Sequence, residues 1–250
     1  PPPPPPPPPF FFQAQAAIRD AQESRGLGDV YKRQHRGLPN VYIENSLEGL
    51  NKAFTFCEYV ETDVRLTKDN SLLLFHDPHI NEYLIEELTV SEIESLLPGV
   101  SVEQIVLESR DQIKGKVNFE IKTEGTSPGV IDILFQKVSS ISQNEDIISS
   151  FNWEALLSFK EIITSKYGII MNNEDDLFEA KALSNHDDQL LFMVEKGLIN
   201  SRNFDLPKDK TSAWTVNDEN EFKRLMEMGL FGIITDIPDT MQLYLSLIHI

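Results

Sequence analysis

The sequence is short of cations and of sulfur. Against 40 Asp and Glu stand 22 Lys and Arg, for a formal charge of −18. Such a surface repels a nucleic-acid backbone and an anionic bilayer, so neither is the expected partner; an anionic small molecule needs a local cation to hold it. The single cysteine, Cys57 in "FTFCEY", excludes an intramolecular disulfide and a cysteine-built metal cage, and its aromatic neighbours predict a core thiol. Long hydrophobic runs are missing as well. No stretch approaches the roughly 18 apolar residues of a spanning helix, and no charged segment followed by an apolar one opens the chain, so a soluble, cytoplasmic protein is expected. Neither G-x-G-x-x-G nor G-x-x-x-x-G-K-[ST] follows any candidate strand, which removes the usual nucleotide-binding loops.

The two ends lack the pattern of the rest. Residues 1–34 begin with nine prolines and three phenylalanines and continue without an apolar period. "RGLGDVYKRQ" resembles translated adapter read-through, as does the terminal "SLIHI", and both are set aside as an extension. The folded domain is expected over 35–245. With that join immediately before His35, "DVYKR" would have to stand in for a first core strand.

What is present from His35 onward is alternation. Apolar runs bounded by turn residues predict strands at 58–64, 71–75, 116–121, 146–150, 167–171, 212–216 and 231–235. Helical spacing separates most of them, at 46–56, 90–97, 130–140, 152–161 and 218–228. Ser91 with Glu94 reads as a capping pair, Asn217 precedes the acidic turn "DEN", and Gly229 reads as a helix stop. Strands joined through helices imply a parallel sheet buried on both faces. Seven strands plus one at the N-terminal join make eight, and the polar candidates cluster at strand C-termini, so the expected fold is α/β, a single-domain (β/α)₈ TIM barrel. The stretch 172–211, including "QLLFMVEKGLI", mixes strand and helix signals and is left unassigned.

On a strand, residues two apart share a face, so Glu61 and Asp63 in "ETDV" present carboxylates together, about 7 Å apart at Cα. Glu120 and Lys122 in "NFEIK" repeat the spacing. Three acids brought to one barrel mouth repel one another unless a cation sits among them, and an all-oxygen set suits Mg²⁺ or Ca²⁺ better than zinc. Any one of these acids alone reads as a solvated loop residue or an ion pair; the set together does not, because inward acids without partners are costly. His35 in "HRG" and His76 in "FHDP" can serve as a general acid and a general base. Arg36 and Lys122 supply cations for a phosphate. His79, His186 and His249 have no comparable companions.

The ordered motifs "HRG", "ENS" at 44–46, "ETDVRLTKD" at 61–69, "HDP" at 76–78, "EIK" at 120–122, "SSF" at 149–151, "WTVN" at 214–217 and "GIITDIP" at 232–238 resemble those of the glycerophosphodiester phosphodiesterase family, from His35 to about Thr240. The resemblance implies a TIM barrel that binds one divalent cation and hydrolyses small glycerophosphodiesters to sn-glycerol 3-phosphate and an alcohol, within lipid and glycerol metabolism. It implies Glu61, Asp63 and Glu120 as metal ligands and His35 and His76 as the acid–base pair. Arg36, Glu44, Lys122 and Trp214 fall at phosphate- or substrate-binding positions. Two departures stand out: Ile43 replaces a usual proline, and "HDPHINEYLIEELTVSEI" lacks the segment that ordinarily follows the second histidine. That departure bears on substrate preference more than on chemistry. A lysophospholipase D-like activity on lipid esters and a non-catalytic binding barrel are the alternatives.

Overall fold

The computed structural model describes residues 31–184 and 187–248. Its main sheet has ten strands, of which eight are parallel neighbours: β1 (Tyr31–His35), β2 (Tyr59–Leu66), β7 (Lys116–Ile121), β8 (Ile147–Ser150), β9 (Lys166–Met171), β10 (Leu190–Glu195), β11 (Thr211–Trp214) and β12 (Gly232–Thr235). β1 pairs with β12 through Tyr31 and Gly232 and with β2 through His35 and Glu61, which closes the barrel. Helices pack outside it: α1 (Leu47–Ala53), α3 (Pro128–Ile141), α4 (Trp153–Ser158), α5 (Glu174–Leu183), α6 (Lys196–Ile199), α7 (Glu219–Glu227) and α8 (Pro238–Ile248).

The remaining two strands of that sheet leave the barrel. β3 (Leu72–Leu74) turns back antiparallel along the far end of β2, pairing Leu74 with Val64, and β6 (Val106–Leu107) adds antiparallel to β3. Between them lie the hairpin β4 (His79–Ile80) and β5 (Tyr83–Leu84) and helix α2 (Val90–Leu96). Leu73, Ile80, Ile85, Ile93 and Ile105 give this excursion a small core of its own.

Two apolar layers follow from the alternation of side chains along each strand. Val60, Val64, Val117, Phe119 and Ile121 face outward against Leu50, Leu134, Phe135 and Val138 of the helices. Tyr59, Ile147, Ile170, Leu191 and Met193 face inward and fill the barrel. Each fully buried Leu or Phe contributes about 1.5–3 kcal/mol, so the outer layer carries most of the stability. Cys57 is buried there, its thiol donating to Ala53 O at 3.2 Å.

The structure revises three expectations. The run 71–75 is not a barrel strand but the antiparallel β3, and the eighth barrel strand is β10, inside the unassigned stretch. The expectation that "DVYKR" stands in for the first strand agrees with β1, which starts at Tyr31 and buries Arg33 and Gln34. Residues 1–30 lie outside the described residues. The cap of α2 is Thr89, whose hydroxyl accepts from Glu92 N while Glu92 accepts from Thr89 N, so the capping box stands two residues before Ser91 and Glu94. Asp218, not Asn217, caps α7; Gly229, at φ +71°, does stand just beyond its end.

The turn after β1 is tight. Arg36, Gly37 and Leu38 all have left-handed backbone, at φ 53°, 71° and 56°. A Cβ on Gly37 would lie 2.6 Å from the backbone nitrogen of Leu50, so only glycine lets α1 pack on this turn. The turn in turn places the Arg36 side chain over the end of β2.

Candidate active site

The C-terminal mouth of the barrel encloses a cavity of about 230 Å³. His35, Arg36, Glu61, His76, Asn118, Glu120 and Lys122 line one side; Phe151, Ile170, Met193, Trp214 and Ile234 line the other. Glu61 and Glu120 reach it, with Asp63 just behind, by the period of two, since Glu61 is register partner to Asn118 and Asp63 to Glu120 on adjacent strands. His35 arrives beside Glu61 at the end of β1. His76 arrives by another route than the expected one: the β2–β3 hairpin carries the chain out and back, Phe75 N bonds Asp63 O at 3.1 Å, and His76 is the next residue. Arg65, buried on β2, holds the His76 carbonyl at 2.9 Å and 2.6 Å.

One oxygen from each of Glu61, Asp63 and Glu120 lies within 4.8 Å of the others. Their surroundings differ. Asp63 accepts from Asn45 Nδ2 at 2.9 Å, has Arg36 Nε at 3.0 Å and Lys122 Nζ at 3.6 Å. Burial pushes its carboxyl up, but Lys122, Arg36 and the Asn45 hydrogen bond outweigh that and hold it below the usual aspartate value. Glu61 has no such set: burial, with the charge of Asp63 beside it, pushes its carboxyl up to about 8. Glu120 is also raised, by burial and by Asp63, although Lys122 bonds it at 2.6 Å.

Glu61 Oε1 and Asp63 Oδ1 are buried without a hydrogen-bond partner among the described residues. Buried carboxylate oxygens normally have one. Three clustered carboxylates with two bare oxygens form a hard, all-oxygen donor set that suits a divalent cation such as Mg²⁺ or Ca²⁺.

His35 Nδ1 bonds Asp236 Oδ1 at 2.7 Å, which leaves Nε2 on the cavity side, 3.9 Å from Glu61 Oε2. Burial lowers the imidazole's proton affinity, yet the Asp236 hydrogen bond and the field of Glu61 together raise it above the ordinary histidine value. Asp236 is itself fixed: Asn217 Nδ2 donates to its Oδ2 at 2.6 Å, and its own N–H donates to Asn217 Oδ1 at 2.9 Å. His76 Nδ1 lies 2.7 Å from Asp77 Oδ1.

Of the candidates read from the sequence, His35, His76, Glu61, Glu120, Arg36, Lys122 and Trp214 line the cavity. Asp63 stands just behind it, under Arg36 and Lys122. Glu44 is half exposed outside and reaches Arg36 Nη1 at 3.4 Å. Trp214 donates its indole N–H to Met193 O at 3.0 Å and meets Phe151 edge-on at 5.8 Å. His79 lies exposed on β4; His186 and His249 fall outside the described residues. Asp236, Asn217, Asn45 and Asn118 were not singled out. The first three sit inside "TDIP", "WTVN" and "ENS", and Asn118 shares the period of two with Glu120, the one local signal that pointed to it.

Residues 35–240 match the profile of the Glycerophosphoryl diester phosphodiesterase family. A glycerophosphodiester phosphodiesterase of Caldanaerobacter subterraneus subsp. tengcongensis is 28% identical over 234 residues, which cover 83% of this chain and 94% of that protein. One from Bacillus altitudinis is 26% identical over 232 residues, covering 82% and 94%. Among solved structures, a glycerophosphodiester phosphodiesterase from Parabacteroides distasonis superposes with a TM-score of 0.73 at 22% identity, covering 90% of this chain and 100% of that one. A phosphodiesterase of Oleispira antarctica, solved with the product sn-glycerol-3-phosphate, gives 0.66 at 20% identity, covering 86% and 96%.

Proposed function

The chain belongs to the glycerophosphoryl diester phosphodiesterase family, and from that premise we propose that it hydrolyses glycerophosphodiesters to sn-glycerol 3-phosphate and an alcohol, using a divalent cation and the histidines His35 and His76. The observation that carries this reading is the convergence, in one cavity, of clustered carboxylates with bare buried oxygens, two histidines each tied to an aspartate through Nδ1, and the cations Arg36 and Lys122.

Glu61, Asp63 and Glu120 would hold the cation. When bound, it offsets the phosphodiester's negative charge, which otherwise repels a nucleophile. Arg36 and Lys122 bind phosphate oxygens, Arg36 as a planar fork steadied by Glu44 and Asp63, Lys122 as a point charge. Asp236 on His35 and Asp77 on His76 fix the ring orientation, so that each histidine turns Nε2 to the substrate. Between them the two rings remove a proton from the attacking oxygen, a water or the neighbouring glycerol hydroxyl, and deliver one to the leaving alkoxide. Trp214 and Phe151 form the apolar wall. A small-molecule diester is the partner that this cavity suits, and among the described residues no helix is long and apolar enough to cross a membrane.

The test is release of sn-glycerol 3-phosphate from glycerophosphocholine and glycerophosphoethanolamine with Mg²⁺, with Ca²⁺ and with EDTA. Cation-dependent release that disappears in His35→Ala and His76→Ala is expected. Folded, cation-loaded protein that releases nothing overturns the reading. One observation favours a second substrate class: Val41 and Ile43 are 74% and 41% exposed on the loop between Arg36, which lines the cavity, and α1. Turnover of lysophosphatidylcholine faster than of glycerophosphocholine would move the assignment to lipid esters.

A further inference from the structure

Asn118 has no part in the chemistry above. It stands on β7 two residues before Glu120, so both side chains point into the barrel. Its register partner on β2 is Glu61, which in turn pairs with His35 on β1. His35, Glu61 and Asn118 thus form one row across three adjacent strands, and all three reach the cavity. Asn118 is 1% exposed, and its amide oxygen is buried without a hydrogen-bond partner among the described residues. For the fold alone this is a poor choice, since a buried amide oxygen without a partner is costly and an apolar side chain of similar shape is not.

Other polar groups of the cavity are already engaged. His35 Nδ1 is held by Asp236, Lys122 by Glu120, and the Trp214 indole N–H by the Met193 carbonyl. Asn118 adds a neutral donor and acceptor to a wall that is otherwise charged. Charged groups suit a phosphate or a cation, whereas a neutral carboxamide can both give to and accept from a hydroxyl. We propose that Asn118 binds a hydroxyl of the substrate's glycerol moiety. It therefore reads the portion common to all glycerophosphodiesters and leaves the alcohol unread. This assignment rests on the glycerophosphodiester reading of the site.

The test uses the full chain and the variants Asn118→Leu, of similar shape, and Asn118→Ala. Turnover is compared between glycerophosphocholine and bis(para-nitrophenyl) phosphate, a diester with no glycerol hydroxyl. Binding is compared between sn-glycerol 3-phosphate and inorganic phosphate. Losing a hydrogen bond made only to glycerol is expected to lower the ratio of kcat/KM values, and the ratio of the two affinities, by about tenfold or more. The melting temperature should hold or rise in Asn118→Leu, which a purely structural asparagine would not allow. Equal losses on both substrates, or no loss in either variant, overturn the assignment while leaving the enzyme's function standing. Wild-type protein that turns over bis(para-nitrophenyl) phosphate but no glycerophosphodiester overturns the functional reading and the assignment with it.

Discussion

Two clusters of buried charge sit at opposite ends of this barrel, and they are built in opposite ways. At the N-terminal end, Arg110 grips Asp146 with two nitrogens, each at 2.7 Å. Asp146 also accepts from Val117 N at 3.0 Å and Gln143 N at 2.8 Å, and Arg110 donates to the carbonyls of Ile113 and Gly115. Both carboxylate oxygens are doubly satisfied. At the C-terminal mouth, Glu61 and Asp63 are buried as deeply, yet each keeps an oxygen without a hydrogen bond. A completed buried pair locks loops to strands; an uncompleted one costs stability unless a ligand completes it. The difference separates an end that holds the fold from the end where the proposed site lies.

Breaking the mouth cluster should give the largest effect on activity. Glu61→Ala removes an oxygen of the proposed cation site, and cation-dependent turnover is expected to fall by about a thousandfold or more. The metal-free variant should melt no lower than the parent, because a repelling carboxylate is gone. A Glu61→Ala protein with near-parental turnover and unchanged cation dependence would remove Glu61 from the site. The same operation at the other end should do the reverse. Asp146→Ala strands Arg110 as a buried charge, at a cost of about 3–5 kcal/mol. For a domain of this size that is roughly 6–20 °C of melting temperature. The kcat/KM of the protein that remains folded should stay near the parent's. Parental thermal stability would mean that the pair is dispensable.

The comparison sharpens with pH. Glu61 is raised from the ordinary glutamate value to about 8 by burial and by Asp63. A group with a raised folded-state pKa favours the fold fully below its unfolded value and loses that contribution as pH climbs through the folded one. Metal-free protein should therefore lose stability between about pH 4.5 and 8, by an amount on the order of a few kcal/mol. Glu61→Gln should flatten this slope, and saturating Mg²⁺ or Ca²⁺ should counter it. Urea titrations of metal-free protein at several pH values decide the point; a slope that survives in Glu61→Gln belongs to other groups.

Much of this contrast was readable in the sequence at the mouth and little of it elsewhere. Glu61, Asp63, Glu120 and Lys122 announce themselves through a local period of two. β3 reads as a barrel strand because "LLL" is the same signal whether its neighbour runs parallel or antiparallel. β10 was left unassigned because it runs into α6 at Lys196 without an intervening turn, so the period changes with no punctuation. β1 lies within "RGLGDVYKRQ", which resembles read-through and has no apolar period, yet Arg33 and Gln34 are buried. The Arg110–Asp146 pair could not be read at all: its members are 36 residues apart, each on an unremarkable turn. His35 and Asp236 are 201 residues apart, and only closure of the barrel through β1 and β12 makes them neighbours.

That last pair joins the two styles, since Asp236 is a completed carboxylate placed within the uncompleted cluster. Its oxygens are engaged by His35 and Asn217, and although burial pushes its carboxyl up, those hydrogen bonds hold it below the ordinary aspartate value. Asp236→Asn keeps the shape but removes the carboxylate whose hydrogen bond and charge, with the field of Glu61, raise His35. The expected result is a fall in kcat/KM of roughly 10- to 100-fold, a part of the roughly 100- to 10,000-fold that a whole general acid–base group contributes, because His35 itself stays. The limb of the pH–rate profile that reports His35 should also move to lower pH. A merely structural Asp236 would lower the amount of folded enzyme and leave the profile in place. Asn217→Ala loosens Asp236 without discharging it, so it should shift the same limb in the same direction by less, and a larger shift than that of Asp236→Asn would reverse this order of dependence.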